Sequence, residues 1–219
     1  MQNLRIKRLN KFFLHVGWAE VQPTIRVFIF MSIKLIVGLR NPGAAYQHTR
    51  HNAGGWFVET LVKQNNTGFK SDKKMQSELA DLDIQNIACK ALLPLTFMNH
   101  SGFPVRLVCQ FYRIEPDELL VVHDELDLPT GRIKLKTGGG HGGHNGLRDI
   151  TNQIGSADFH RLRVGIGHPG HKDLVLDYVL GKPSQQDREL IFGAIDRGVA
   201  AIPTVLTGNM ATAMNLINI

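Results

Sequence analysis

His51, Asp124, Asn41, Asn99 and Asn145 are of types that together can run hydrolytic chemistry. An imidazole with a free lone pair is a general base, and a carboxylate behind it fixes its tautomer and stabilises its charged form. Neutral carboxamides supply hydrogen bonds to a water or a developing oxyanion. Asn145 lies in Thr137–Gly146, which reads Thr-Gly-Gly-Gly-His-Gly-Gly-His-Asn-Gly and holds six of the chain's 22 glycines beside His141 and His144. Glycine lets a backbone approach a bound group closely, whereas a flexible Gly/Ser spacer has no use for two imidazoles and a carboxamide. Any one asparagine is an ordinary turn residue, as at Asn41-Pro42-Gly43. Three beside a histidine and an aspartate favour the chemical reading.

Other chemistries lack their motifs. No G-x-x-x-x-G-K-[ST] loop is present, and Gly138–Gly143 does not follow a first strand as a dinucleotide fingerprint must. Without a G-x-S-x-G elbow, Ser101 reads as a helix cap. Cys89 and Cys109 have neither C-x-x-C nor zinc-finger spacing and sit in apolar runs, as reduced thiols do. His123-Asp124-Glu125-Leu126-Asp127 and His141-x-x-His144 contain enough ligands for a divalent metal, but without helical i, i+4 placement. No metal or cofactor is expected, and His123 reads as a hydrogen-bonded strand-end residue.

These side chains need a frame, and the frame reads as α/β. Apolar β-rich runs at Ile33–Leu39, Ile87–Leu93, Leu119–His123, Arg132–Lys136 and Leu162–Ile166 alternate with helical patterns. The helices are expected near Asn52–Lys63, Ser101–Tyr112, Leu147–Ile154 and Gln185–Leu206, the last capped by Ser184 with Asp187 three residues on. The expected fold is a single α/β domain, a twisted mixed β-sheet flanked by α-helices, over residues 32–219. Asn41, Asn99 and Asp124 fall just beyond strand carboxyl ends, the rim where open α/β sheets bind ligands. His51 precedes a helix whose N-terminus disfavours an imidazolium. Residues 64–86, polar and Lys-rich, read as a surface excursion.

The net charge of +6 is unevenly spread: residues 1–30 contribute +4 and the remainder only +2. A nucleic-acid partner must therefore be argued from local clusters, such as Arg132, Lys134 and Lys136, or Arg161 and Arg163. Residues 1–31 read as an N-terminal extension, from an alternative start at Met31 or a dispensable arm, with a transit peptide as the competing account. The apolar run Val27–Met31 is far short of the roughly 20 residues that span a bilayer. No membrane association is expected.

Several separated blocks resemble the bacterial-type peptidyl-tRNA hydrolase family. Tyr46-x-x-Thr49-Arg50-His51-Asn52-x-Gly54-x-x-Phe57-Val58-Glu59 is similar to one family signature, and Gly140-x-x-x-His144-Asn145-Gly146-Leu147-Arg148-Asp149-Ile150 to another. Gly38-Leu39-x-Asn41-Pro42-Gly43, Thr96-Phe97-Met98-Asn99, His123–Asp127 and Phe159–Arg163 resemble further blocks in the same order. The resemblance runs from Ser32 to the C-terminal helix.

It implies hydrolysis of the ester joining a peptide to the terminal ribose of tRNA, recycling tRNA after aborted translation, by a cytoplasmic monomer without a metal. His51 matches the catalytic base and Asp124 its orienting partner. Asn41, Asn99 and Asn145 match substrate- or water-positioning asparagines. Tyr46, Phe97 and Met98 match cleft positions, and Lys136 and Arg163 match cations that grip tRNA phosphate. His168–Lys182 would be a lid. Arg40 departs from the family pattern, where a small residue is usual. Two other classes stay open: an RNA-binding protein without catalysis, and a metal-dependent hydrolase of another ester or amide.

Overall fold

The computed structural model describes residues 32–218, so the expectation for residues 1–31 lies outside the described residues. Its strands are β1 (Leu35–Gly38), β2 (Lys70–Asp72), β3 (Ser77–Ile84), β4 (Ile87–Pro94), β5 (Leu119–Glu125), β6 (Ile133–Thr137) and β7 (His160–Gly165). They form one sheet in the order β2-β3-β4-β1-β5-β7-β6. β4, β1, β5 and β7 run parallel, while the β2–β3, β3–β4 and β6–β7 pairs are antiparallel. The mixed α/β sheet expected from the sequence is what forms.

Side-chain alternation sorts the central strands between two helical layers. Ile36, Leu120 and Val122 face α1 (Ala53–Gln64), α5 (Gln185–Leu206) and α6 (Met210–Ile217). Leu35, Val37, Leu119 and Val121 face α2 (Gly102–Tyr112) and α3 (Asn145–Ile154). Burial on both faces is why these strands read as unbroken apolar runs. The second layer is shorter than the sheet. Ile133, Leu135, Leu162 and Val164 of β6 and β7 join the first core, and the alternate residues Lys134, Lys136, Arg161 and Arg163 line the opposite face.

Residues 64–86 are not the excursion expected, because β2 and β3 extend the sheet there. Ala80, Leu82 and Ile84 are buried while Asp81 and Asp83 point to water. Gln85 and Asn86, both at positive φ (53° and 64°), form the tight turn into β4, as a two-residue hairpin loop of this hand requires. The acidic outward residues hid a strand alternation in a charged composition. Ser101 does precede α2, but it does not cap it: its hydroxyl donates back to the Met98 carbonyl at 2.9 Å. A short helix, α4 (Val175–Leu180), and α6 were not anticipated. No helix among the described residues is long and apolar enough to cross a membrane.

α1 sets the geometry of the rim, because it presses its first turn against the carboxyl ends of β1 and β5. A Cβ at Gly54 would lie 2.2 Å from the Val122 carbonyl oxygen and 2.9 Å from the Leu39 nitrogen. Only glycine permits this approach, and it brings residues 50–52 over the end of β5. Gly54→Ala should lower unfolding free energy by about 1–3 kcal/mol, read from urea titrations. An unchanged midpoint would mean that the helix can move outward freely.

Candidate active site

Asp124 is the penultimate residue of β5, and its carboxylate is buried. His51 Nδ1 lies 2.9 Å from Oδ1 and 3.0 Å from Oδ2, and His144 Nε2 lies 3.0 Å from Oδ1. Two imidazoles from distant parts of the chain therefore donate to one acid.

His51 occupies a single 3₁₀ turn, Arg50–Asn52, ahead of α1. Both its neighbours are clamped. The Asn52 side chain accepts from the Asn41 backbone N–H at 2.8 Å and donates to the Asn41 carbonyl at 2.9 Å. The buried Arg50 guanidinium lies 4.2 Å from the centroid of the Tyr178 ring and donates to the Lys182 carbonyl at 2.9 Å. With both sides held, the His51 ring can be aimed without much freedom left to its backbone.

His144 is the N-cap of α3. Its Nδ1 accepts from the backbone N–H groups of Gly146 at 3.1 Å and Leu147 at 3.4 Å. That use of the Nδ1 lone pair places the ring proton on Nε2, pointing at Asp124. The same geometry opposes metal binding, although His51, Asp124 and His144 gather their ligand atoms within 4.8 Å of one another. To ligate through Nε2, neutral His144 would have to carry its proton on Nδ1, against two N–H donors. The donor set thus suits protons better than a divalent ion.

Burial alone would lower the His51 pKa, but the adjacent Asp124 charge and hydrogen bond outweigh it and leave the value raised above 6.5. Burial likewise pushes Asp124 upward, and the two histidines reverse this and hold its carboxyl well below the carboxylate range. The helix N-terminus does not prevail at His51. His123, on the other face of β5, donates from Nδ1 to the Asp124 carbonyl at 2.7 Å, and its ring stands edge-on to His144 at 5.1 Å. Burial is the first cause of its pKa falling to about 3, so it stays neutral. This is the hydrogen-bonded strand-end residue expected, although its buried Nε2 has no partner among the described residues.

These groups line a cleft of about 450 Å³, closed on the far side by Val175, Leu176 and Val179 of α4. Helix α4 belongs to the segment expected to form a lid, and the Tyr178 hydroxyl ties it down by donating to the Ile166 carbonyl at 2.6 Å. Asn145 lines the same cleft, and its Oδ1 accepts from Arg148. Asn41 Oδ1 accepts from the Met98 backbone N–H at 2.8 Å. In both residues the protein uses the oxygen, leaving the amide NH₂ available. Asn99 is exposed and the reverse holds: its Nδ2 lies 3.1 Å from His100 Nε2, leaving its oxygen free. Tyr46 and the half-exposed Phe97 meet edge to face at 6.0 Å. Met98 is buried, with its sulfur against Gly146 at the start of α3.

The basic candidates are drawn together by sheet register. Lys134 opposes Arg163 and Lys136 opposes Arg161 across β6 and β7. Like charges so placed repel one another, which an anion would relieve. They are not equivalent, however. Arg163 is already paired with Glu125 at 2.8 Å, and Arg161 is buried with its guanidinium on the Gly139 and Gly140 carbonyls. Lys136 makes no ion pair among the described residues.

A His–Asp pair in a cleft at the carboxyl ends of an α/β sheet, with the Asn145 carboxamide lining the same cleft, defines a hydrolase-type site. The model for the family described as peptidyl-tRNA hydrolase matches residues 35–219. A peptidyl-tRNA hydrolase of Legionella pneumophila (strain Paris) is 68% identical over 188 residues, covering 86% of this chain and 100% of the relative. One from Neisseria meningitidis serogroup A is 50% identical over 187 residues, covering 85% and 97%. The crystal structure of peptidyl-tRNA hydrolase from Acinetobacter baumannii superposes with a TM-score of 0.84 at 48% identity, covering 86% of this chain and 96% of that one. The chain belongs to the peptidyl-tRNA hydrolase family.

The raised pKa of His51 is directly measurable. An NMR titration of its ring should give a midpoint above 6.5, and Asp124→Asn should move it below 6.5, because burial then acts without the opposing charge. A His51 midpoint that ignores the substitution would contradict the electrostatic coupling.

Proposed function

We propose that the chain hydrolyses the ester between peptide and tRNA in peptidyl-tRNA, with a water activated by His51. The observation that carries this mechanism is the His51–Asp124 pair: Nδ1–H is committed to the carboxylate, so Nε2 holds the lone pair. Nε2 takes a proton from water as the oxygen attacks the ester carbonyl. The resulting imidazolium is stabilised by Asp124 and returns the proton to the ribose oxygen as the ester bond breaks, leaving a peptide carboxylate and free tRNA. An ester needs little leaving-group assistance, so one activated water and a few hydrogen bonds to the oxyanion can suffice.

The asparagines divide the remaining work by which end of each amide is free. Asn41 and Asn145 present NH₂ groups, suited to carbonyl oxygens and the oxyanion. Asn99 presents an oxygen, suited to the amide N–H of an N-blocked substrate. A free aminoacyl-tRNA would bring an α-ammonium into a cleft that desolvates it without a dedicated counter-charge, which disfavours it. Tyr46, Phe97 and Met98 shape the adjoining surface. Lys136, with no ion pair among the described residues, is the principal phosphate ligand, and Arg163 shares the site while bound to Glu125. Translation supplies the substrate, so the cytoplasm is the compartment this function implies, with the protein acting as a monomer.

Purified chain in chelator should deacylate N-acetylaminoacyl-tRNA rapidly and free aminoacyl-tRNA poorly. His51→Ala should lose at least about 10²-fold in kcat, the usual contribution of a positioned base. Cleavage that requires added Zn²⁺ or Mn²⁺ would refute the mechanism, and tRNA binding without cleavage would refute the activity. Separately, Lys136→Ala should reduce the salt dependence of log KM for tRNA substrates by about one unit of slope, as expected for one lost phosphate contact. An unchanged slope would remove Lys136 from the tRNA contact.

A further inference from the structure

A second cavity, of about 230 Å³, is walled by Arg40, Asn41, Gln47, Trp56, Glu59 and Leu95. His51 lines the cleft and the next residue in the chain, Asn52, lines this cavity, its side chain bonded to the Asn41 backbone. Arg40 donates to Glu59 Oε1 at 2.8 Å and also to Glu78, bringing carboxylates from α1 and β3 onto one guanidinium. Two carboxylates against one cation leave a net negative charge. Burial, ahead of the attraction of Arg40, keeps the Glu59 carboxyl above its ordinary value, with Glu78 adding repulsion. With two carboxylates to one guanidinium, the cluster is short of positive charge. Its neighbours are apolar: Trp56 is fixed by donating its indole N–H to the Gln47 carbonyl at 2.9 Å, and Leu95 stands at the end of β4.

Sheet order says which half of a substrate reaches this cavity. The cations Lys134, Lys136 and Arg163 lie on β6 and β7, on one side of the His51–Asp124 pair, whereas the second cavity lies on the side of β1, β4 and β3. With the ester at His51 and the RNA phosphates over β6 and β7, the peptide must run toward β4 and β3. Asn41 stands at the turn between them. The residue is only 7% exposed, its oxygen is taken by Met98, and its NH₂ has no partner among the described residues, so it can hold a peptide carbonyl there.

We propose that this cavity is a subsite for the peptide moiety and selects a basic side chain upstream of the esterified residue. The aliphatic stem of that lysine or arginine lies against Trp56 and Leu95, and its cationic head meets the Glu59–Arg40–Glu78 cluster. This rests on the substrate placement proposed above. Its test is a ratio that general loss of activity cannot shift. On one tRNA, with one esterified amino acid, N-acetyl peptides carrying Lys, Gln or Glu at the upstream positions are compared by kcat/KM. The wild-type enzyme should favour Lys over Glu by about fivefold, the scale of a partly screened ion pair, and less at high salt. Glu59→Gln and Glu78→Gln should each bring the ratio toward one. Arg40→Ala should raise it, because it uncovers both carboxylates. Equal use of Lys and Glu peptides by the wild type, or a preference that both glutamate variants retain, would overturn the subsite. Failure to cleave even the Gln peptide would instead refute the hydrolase mechanism.

Discussion

Asp124 carries a charge in a place almost closed to water, and much of the surrounding structure can be understood as the means of keeping it there. An unpaired buried carboxylate would cost several kcal/mol or take up a proton. Here it receives N–H groups from His51 and His144, each delivered by a different device. His51 depends on the clamps at Arg50 and Asn52 and on the close packing of α1 at Gly54. His144 depends on the first turn of α3, whose backbone donors select its tautomer. His51, Asp124 and the start of α3 are consequently one unit. Of the two imidazoles on the carboxylate, both nitrogens of His144 are engaged, whereas His51 commits only Nδ1.

The uneven covering of the sheet gives the site its two sides. Helices α2 and α3 shield one face of β1, β4 and β5, and on β6 and β7 the same face is left to cations. Strand alternation does the sorting: Ile133, Leu135, Leu162 and Val164 face the first core, so Lys134, Lys136, Arg161 and Arg163 take the other face, where Arg161 is covered by the glycine-rich loop. A row of cations on β6 and β7, beside β5 with its His51–Asp124 pair, thus arises from the rule that builds the core.

The same rule shows what could be read beforehand. The central strands and α5 were legible because burial on both faces and a Ser184 cap leave strong local patterns, and Ser184 Oγ does accept from the Asp187 N–H at 3.0 Å. The pairing of His51 with Asp124 was legible as chemistry, because few other roles suit those residues on one rim. The role of His144 was not. Helix caps are usually Ser, Thr, Asp or Asn, and an imidazole serving as both cap and carboxylate donor has no local signature. Nor could sequence separate Arg161 from Arg163. They stand two apart on one strand face, yet one is buried under the glycine-rich loop and the other reaches Glu125. β3 was missed because charge in its outward positions outweighed its alternation.

Arg161 also explains why so many glycines need not mean a loose loop. Gly139 lies at φ 96°, and its carbonyl and that of Gly140 turn inward to the buried guanidinium at 2.6 Å. A β-carbon at Gly139 would strain that backbone and lie 2.8 Å from Lys136 Nζ. The glycines let the chain bend tightly around Arg161, and the bend ends at His144, where α3 begins. The arginine thereby satisfies carbonyls that the tight path would otherwise strand. Glycine supplies the shape and Arg161 the rigidity, so a loop without regular structure can carry His144 to Asp124 as firmly as a strand would.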